Sequence, residues 1–249
     1  MTVENLKQNR VELKYLMRWE TYQGILRDVT HLTESDSHTD SDGKYSIVSL
    51  YYDSPDYRFY WEKIQGLPTR CKVRIRQYGQ SQDGDQGYIE IKGKQYFSIQ
   101  KQRVLLKLAD AYRLLESPFD RGDCNDTDFP MVDAAVLKRI LYLRDLYDLR
   151  PQIIVSYDRH ALVGRFDQGL RLTFDTNLRA RTESLRLEDG VWGEYICGPE
   201  FVVGEFKVDS RIPEWLISII GSYNLEPQRV SKYCLGLERA LQLQSQLLY

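Results

Sequence analysis

The stretch Cys71-Lys72-Val73-Arg74-Ile75-Arg76-Gln77-Tyr78 alternates strictly. Lys72, Arg74 and Arg76 fall on one side, Val73 and Ile75 on the other. Successive strand side chains point to opposite faces, so this predicts a strand with one cationic and one apolar face. The pattern recurs. Arg10, Glu12 and Lys14 oppose Val11, Leu13 and Tyr15. Glu90, Lys92 and Lys94 oppose Ile89 and Ile91. Lys101 and Arg103 share a face in 96–106, as do Tyr157 and Arg159 in 152–162. Arg171, Thr173 and Asp175 oppose Leu170, Leu172 and Phe174. Glu205 and Lys207 oppose Gly204, Phe206 and Val208. A solvated sheet face normally mixes signs. These faces are strongly cationic, with few acids: Glu12, Glu90, Glu205 and the strand-end Asp175 and Asp209. Cations without partners repel and carry a desolvation cost. Such a surface makes sense around phosphate, which Arg grips bidentately and Lys meets as a point charge. A few glutamates on the same face suit a hard divalent cation bridging phosphate oxygens.

Several function classes are excluded. The formal net charge is −2, so there is no global basic signature and nucleic acid is not an expected partner. Cys71, Cys124, Cys197 and Cys234 show no CxxC spacing and read as reduced thiols. His31, His38 and His160 do not cluster with them, so neither a zinc site nor a Ser/His/Asp triad is expected. Met1 to Arg10 is polar, without the apolar segment of a secretory signal. No run of about 18 apolar residues could span a membrane. The expected location is cytoplasmic, with any membrane association through a separate protein.

The elements that must hold these faces follow in order. Helical spacing covers Trp19–Leu32, with Tyr22, Ile25, Leu26 and Val29 as its stripe. Residues 34–43 form an acidic loop. Tyr45–Asp53 is a strand, and Ser54-Pro55-Asp56 starts a short helix at 57–64. A Gly/Asp turn at 81–87 joins two strands into a hairpin. Helices follow at 108–116 and 131–149, separated by an aspartate-rich segment and closed by Arg150-Pro151. A further amphipathic helix covers 213–223. Ser231 caps a last helix running to about Leu248. No linker divides the chain, so one domain, 1–249, is expected.

In their order along the chain, Arg10-x-Glu12-x-Lys14-Tyr15, Ser49-Leu50-Tyr51-Tyr52-Asp53, Lys72-Val73-Arg74-Ile75-Arg76, Glu90-Ile91-Lys92-x-Lys94, Tyr157-x-Arg159, Leu170 to Asp175, Glu205-x-Lys207 and Ser231-Lys232-Tyr233 form a specific set. From Arg10 to about Leu237 the chain resembles the catalytic domain of the vacuolar transporter chaperone (VTC) polyphosphate polymerases, a branch of the CYTH or triphosphate tunnel metalloenzyme superfamily. The resemblance implies an α+β fold: an antiparallel β tunnel barrel of about eight strands with helices packed outside. It implies ATP and inorganic polyphosphate or triphosphate as partners, with Mn²⁺ or Mg²⁺ as cofactor. Lys14, Arg74, Arg76, Arg159, Arg171 and Lys207 would be catalytic. Arg10, Lys72, Lys92, Lys94, Lys101, Arg103, Tyr157, Ser231 and Lys232 would bind phosphate. Glu205 would hold the metal, with Glu12 and Glu90 as further candidates. The expected activity moves the ATP γ-phosphate onto a growing polyphosphate chain. A metal-dependent triphosphatase and a binding module without turnover are the alternatives. The superfamily opens with Glu-x-Glu-x-Lys, and Arg10 stands at the first position here, which favours the polymerase branch. The SPX domain and membrane segments of the vacuolar complexes have no counterpart in this sequence, so inositol-phosphate control and translocation are not expected of it. The cations should converge on one lumen, with Val73, Ile75, Ile91, Leu172 and Phe206 outside it under helices.

Overall fold

In a computed structural model, residues 4–5, 11–36, 43–79, 86–96, 98–116, 129, 132–167, 169–209 and 211–242 are described, with side chains throughout except at 4–5 and 98–99. The chain forms two compact units, each assembled from three separate segments. No single cut in the sequence divides them. Each has its own hydrophobic core.

The first unit takes Met1–Leu6, Val48–Val155 and Arg181–Gly190. Its strands are β1 (Glu4–Asn5), most of β4 (Lys44–Asp53), β5 (Thr69–Tyr78), β6 (Gln86–Gln95), β7 (Ser98–Lys107) and the start of β8 (Arg150–Gly164). They lie in the order β1-β7-β6-β5-β4-β8. The alternation expected from sequence holds: Val73, Ile75, Ile89 and Ile91 are buried against α3 (Leu108–Glu116) and α4 (Ala134–Tyr147). Gly87 allows this close approach, since a Cβ there would meet Leu108 at 2.6 Å. Helix α2 (Arg58–Ile64) is anchored by buried Asp53, whose carboxylate accepts from the backbone N–H groups of Ser54, Phe59 and Tyr60.

Helix α4 is shorter than its sequence pattern suggests. Asp133 caps its start, accepting from the N–H groups of Ala135 and Val136. Asp148 ends it in a left-handed conformation, φ 47°. The helix therefore stops before Arg150-Pro151, and Pro151 sits at the opening of β8, where a missing N–H is tolerated.

The second unit takes Lys7–Ile47, Ser156–Ala180 and Val191–Tyr249. Its order is β8-β9-β11-β2, with β2 at Val11–Arg18, β9 at Leu170–Arg181 and β11 at Phe201–Val208. Short β3 (Thr33–Ser35) pairs with β8, and β10 (Glu194–Tyr195) with β9. Tyr15, Leu172, Phe174 and Phe206 form a core with the buried stripe of α1 (Trp19–Val29) and with Leu216 and Ile219 of α5 (Glu214–Ser222).

Three sequence expectations change. Among the described residues the strand count is eleven rather than about eight. The additional ones, β1, β3 and β10, have two or three residues each, too few for alternation to show. The hydrogen-bonded path runs from β1 to β2 and does not close on itself among the described residues. Asp175, read as a strand end, is mid-strand: the backbone takes one left-handed step at Asn177, φ 51°, and β9 continues to Arg181. The last helix, α6 (Lys232–Ala240), begins at the expected Ser231 cap but ends early, with Gln242 left-handed at φ 53°. No helix among the described residues is long and apolar enough to cross a membrane.

Candidate functional site

In the first unit the register across β5, β6 and β7 sets the site. Lys72 is opposite Lys92, and Lys92 is opposite Lys101. One step along, Arg74 is opposite Glu90, and Glu90 is opposite Arg103. Like charges directly across neighbouring strands oppose sheet formation. Lys72, Arg74, Arg76, Lys92, Lys101 and Arg103 share this face with Glu90, whose carboxylate engages three of them, Arg74, Arg76 and Lys101. Lys94 lies further along β6, opposite Arg70.

Glu90 is 2% exposed and closely engaged. Its Oε2 accepts from Arg74 Nε at 2.8 Å and lies 3.9 Å from Arg76. Its Oε1 lies 3.4 Å from Lys101 Nζ. Burial raises the Glu90 carboxyl, but Arg74, Arg76 and Lys101 outweigh it and hold it far below the usual carboxylate range. Tyrosine rings back the guanidinium groups. Arg103 sits 5.3 Å from the Tyr88 centroid and Arg76 5.7 Å from that of Tyr78.

In the second unit the rows are Glu12–Lys207–Arg171 and Lys14–Glu205–Thr173 across β2, β11 and β9. Here charge is nearly balanced. Lys207 pairs with Glu205 Oε1, and Lys14 reaches Glu12 at 3.1 Å and Glu205 Oε2 at 3.8 Å. Arg171 meets Asp36 at 2.6 Å and donates to the Tyr45 hydroxyl at 3.3 Å. Its Nε–H is buried without a hydrogen-bond partner. Asp175 is fully buried and accepts both arms of Arg159, at 2.7 and 2.8 Å, while Lys232 reaches it at 2.6 Å. The Tyr157 ring carries Lys232 at 4.7 Å and Arg159 at 5.4 Å. Ser231 Oγ caps α6 by accepting from Cys234 N–H, and so sets the position of Lys232.

These contacts correct the picture of cations lacking partners. Burial of Arg and Lys demands counter-charge. Glu90, Asp175, Glu205 and Asp36 supply it, the first three each shared by two or more cations. Sequence reasoning missed Asp36, Tyr45, Ser49 and Tyr51 as members of these clusters. Arg10 lies outside the described residues. Burial raises Asp175 and Glu205, but the neighbouring cations hold both below their ordinary values. Groups held low stabilise the fold above their unfolded values, near 4, and lose that contribution as pH falls through the folded values. Unfolding midpoints in denaturant should therefore be flat from about pH 7 to 5 and fall steeply below about 4. Glu90→Gln should remove about one proton from that acid slope; an unchanged slope would dissociate Glu90 from the effect.

No three His, Cys, Asp or Glu side chains cluster as a metal site among the described residues. Glu12 and Glu205, on adjacent strands, are both within reach of Lys14. An ion of the Mg²⁺ type takes one or two carboxylates and fills its shell with substrate phosphates and water. The donor set fits an ion that arrives with phosphate.

Residues 9–241 match the VTC domain family. The chain belongs to that family. Subunit 4 of the vacuolar transporter chaperone complex of Trypanosoma brucei brucei is 24% identical over 225 residues, covering 77% of this chain and 28% of its own length. The Trypanosoma cruzi counterpart is 22% identical with the same coverage. This VTC domain thus spans under a third of those relatives. A candidate adenylate cyclase from Bacillus halodurans shares the fold at a TM-score of 0.51 and 14% identity, over 90% of this chain and 94% of that one. A candidate adenylyl cyclase from Hippeastrum, described as having a dominant triphosphatase activity, does so at 0.50 and 12% identity, over 93% and 96%. The VTC domain accordingly shares the α+β fold of these proteins, with an antiparallel sheet and helices over its apolar faces.

Proposed function

We propose that this VTC domain is a polyphosphate polymerase that transfers the γ-phosphate of ATP to a polyphosphate chain, with a divalent ion carried on the phosphates. The observation that supports it most is the pair of rows Lys72–Lys92–Lys101 and Arg74–Glu90–Arg103, which gathers five cations around one glutamate on a single sheet face, as a polyanion site requires. A terminal phosphate oxygen of the acceptor attacks the γ-phosphorus, the bond to the β–γ bridging oxygen breaks, and ADP leaves with that oxygen. The acceptor is already ionised near neutral pH, so no general base is needed. Charge stabilisation and positioning carry the chemistry.

In this reading Arg74, Arg76, Lys72, Lys92, Lys101 and Arg103 grip phosphate in the first unit. Lys14, Lys207, Arg171, Arg159 and Lys232 do so in the second. Glu205, with Glu12, would hold Mn²⁺ or Mg²⁺, which when bound neutralises charge developing on the phosphate oxygens. Glu90 we assign to orienting Arg74, whose Nε it holds at 2.8 Å, while Glu205 has Glu12 as a second carboxylate on the adjacent strand. Tyr157 acts as a platform for Lys232 and Arg159. The relatives are subunits of a vacuolar complex, and association with a separate membrane protein at a cytoplasmic face is part of the same proposal. A metal-dependent triphosphatase is the second reading, favoured by the activity described for the Hippeastrum protein of like fold.

The deciding assay supplies ATP and Mn²⁺, sizes the product on a gel and measures ADP in parallel. Long chains with matching ADP support the polymerase. Free phosphate alone supports the triphosphatase, and no product leaves a binding module. Inorganic triphosphate should also raise the melting temperature. Saturation at a hundred times Kd adds about 2.7 kcal/mol, an increase on the order of 5–10 °C for a chain of this size. Indifference to triphosphate, with chloride at equal ionic strength as control, would count against a phosphate site.

A further inference from the structure

The Arg74 guanidinium is held from two sides. Glu90 Oε2 accepts from its Nε, and the Tyr51 hydroxyl accepts from Nη1 at 2.9 Å. The Tyr51 ring centroid lies 5.6 Å from the guanidinium carbon. Arg76 is set in the same manner, its Nε donating to Ser49 Oγ at 3.1 Å. Ser49 and Tyr51 are two apart on β4 and so share a face. β4 thus meets both arginines with hydroxyls. A carboxylate at either position would orient a guanidinium and cancel its charge. A hydroxyl orients it without adding a negative charge to that of Glu90.

We propose that Tyr51 is a positioning residue of the anion site: it fixes Arg74 for phosphate, and its hydroxyl responds to the arrival of anionic charge. The proposal rests on the phosphate reading above and adds a residue and a linkage to it.

The linkage follows from the surroundings. Tyr51 is 6% exposed. From β5 it faces Lys72, Arg74 and Arg76, and through Arg74 it connects to Glu90 of β6, which Lys101 of β7 also engages. β4's other neighbour in the sheet is β8, and the charges that act on the Tyr51 hydroxyl are those of Arg74, Arg76 and Lys72. Burial raises the phenol, but the three cations outweigh it and bring it down to about 8. Bound phosphate would place competing negative charge on the same guanidinium groups and push the phenol back toward its ordinary value near 10. Reciprocity then requires that ionising Tyr51 weaken phosphate binding. Between these two values, at pH 9, the loss is about tenfold.

The experiment uses the whole chain, inorganic triphosphate as probe and Tyr51→Phe, which keeps the ring and removes the hydroxyl. Phenolate absorbance near 295 nm should show a step with its midpoint at about pH 8 in the wild type. The step should be missing in Tyr51→Phe and move upward with saturating triphosphate. Calorimetry at pH 7 and pH 9 should give a loss of affinity about tenfold larger in the wild type than in Tyr51→Phe. A step that persists in Tyr51→Phe, or that triphosphate does not move, overturns the proposal. So does an identical pH trend in the two proteins. Triphosphate binding at pH 7 together with any of those results overturns the role of Tyr51 alone. No binding by wild type at pH 7 overturns the phosphate reading and this proposal with it. The wild-type step and its shift stand independently of how well Tyr51→Phe folds.

Discussion

Glu205→Gln should cut metal-dependent turnover on the order of 100-fold or more while leaving metal-free triphosphate binding intact or tighter. Gln keeps the size and hydrogen-bonding capacity of the side chain but is a weak ligand for a hard cation. A hundredfold corresponds to about 2.7 kcal/mol of transition-state stabilisation, within the range for removing one preorganised electrostatic contact. Binding without metal survives because Lys14 and Lys207 lose an internal competitor for their charge. Lys207→Met should do the reverse and weaken binding with or without metal. The competing account makes Glu205 only the counter-charge for two half-buried lysines. It predicts a stability defect in Glu205→Gln and an unaltered Mn²⁺ response. Melting temperature, metal-free affinity and a Mn²⁺ titration on both variants separate the two accounts, and a wild-type Mn²⁺ response in Glu205→Gln removes the metal assignment.

Asp175→Asn should be the most destabilising conservative change in the second unit. Asp175 is fully buried and carries the counter-charge of both Arg159 and Lys232. Removing one partner of a buried pair typically costs about 3–5 kcal/mol, because the other charge stays buried without compensation. For a chain of this size that lowers the melting temperature on the order of 10 °C. Adding Lys232→Met should recover part of the loss, since one orphaned charge leaves with it. Lys232→Met alone should cost less than Asp175→Asn, because Arg159 keeps both its bonds to Asp175. A loss under about 1 kcal/mol for Asp175→Asn would mean that water screens these groups far better than their burial implies.

The sequence announces the cationic faces because strand alternation is a local property. Lys72, Arg74 and Arg76 can share a face only if Val73 and Ile75 share the other, and the apolar set is indeed buried under α3 and α4. Partners are a different matter. Asp36 meets Arg171 across a long stretch of chain, and nothing near either residue signals the pairing. Glu90 is visible as an acid on β6, yet its enclosure by three cations depends on the register of two hairpin joints. Asp175 looks terminal because Thr176 and Asn177 break the alternation, whereas the left-handed step at Asn177 carries the strand onward. Tyr51 and Ser49 sit in a strand rich in Tyr and Ser. Only the position of β4 beside β5 distinguishes the two that face arginine from their neighbours. Local patterning therefore carries the chemistry of the site, and long-range pairing carries its charge balance.

The pairing of β2 with β11 has a consequence for how the chain is made. Val11 lies opposite Val208 and Arg18 opposite Phe201. β11 is also the strand that joins β2 to β9. During synthesis β2 leaves the ribosome well before β11 and waits for its partner while the intervening strands and helices emerge. Closing so long a loop is slow, and an alternating strand with bare edges invites wrong partners meanwhile. The meander β5-β6-β7, by contrast, is contiguous in sequence and can assemble as it emerges. Nascent chains halted before residue 201 would thus have β5, β6 and β7 available to pair while β2 still lacks β11, so protease or chaperone capture at that stage should map to β2.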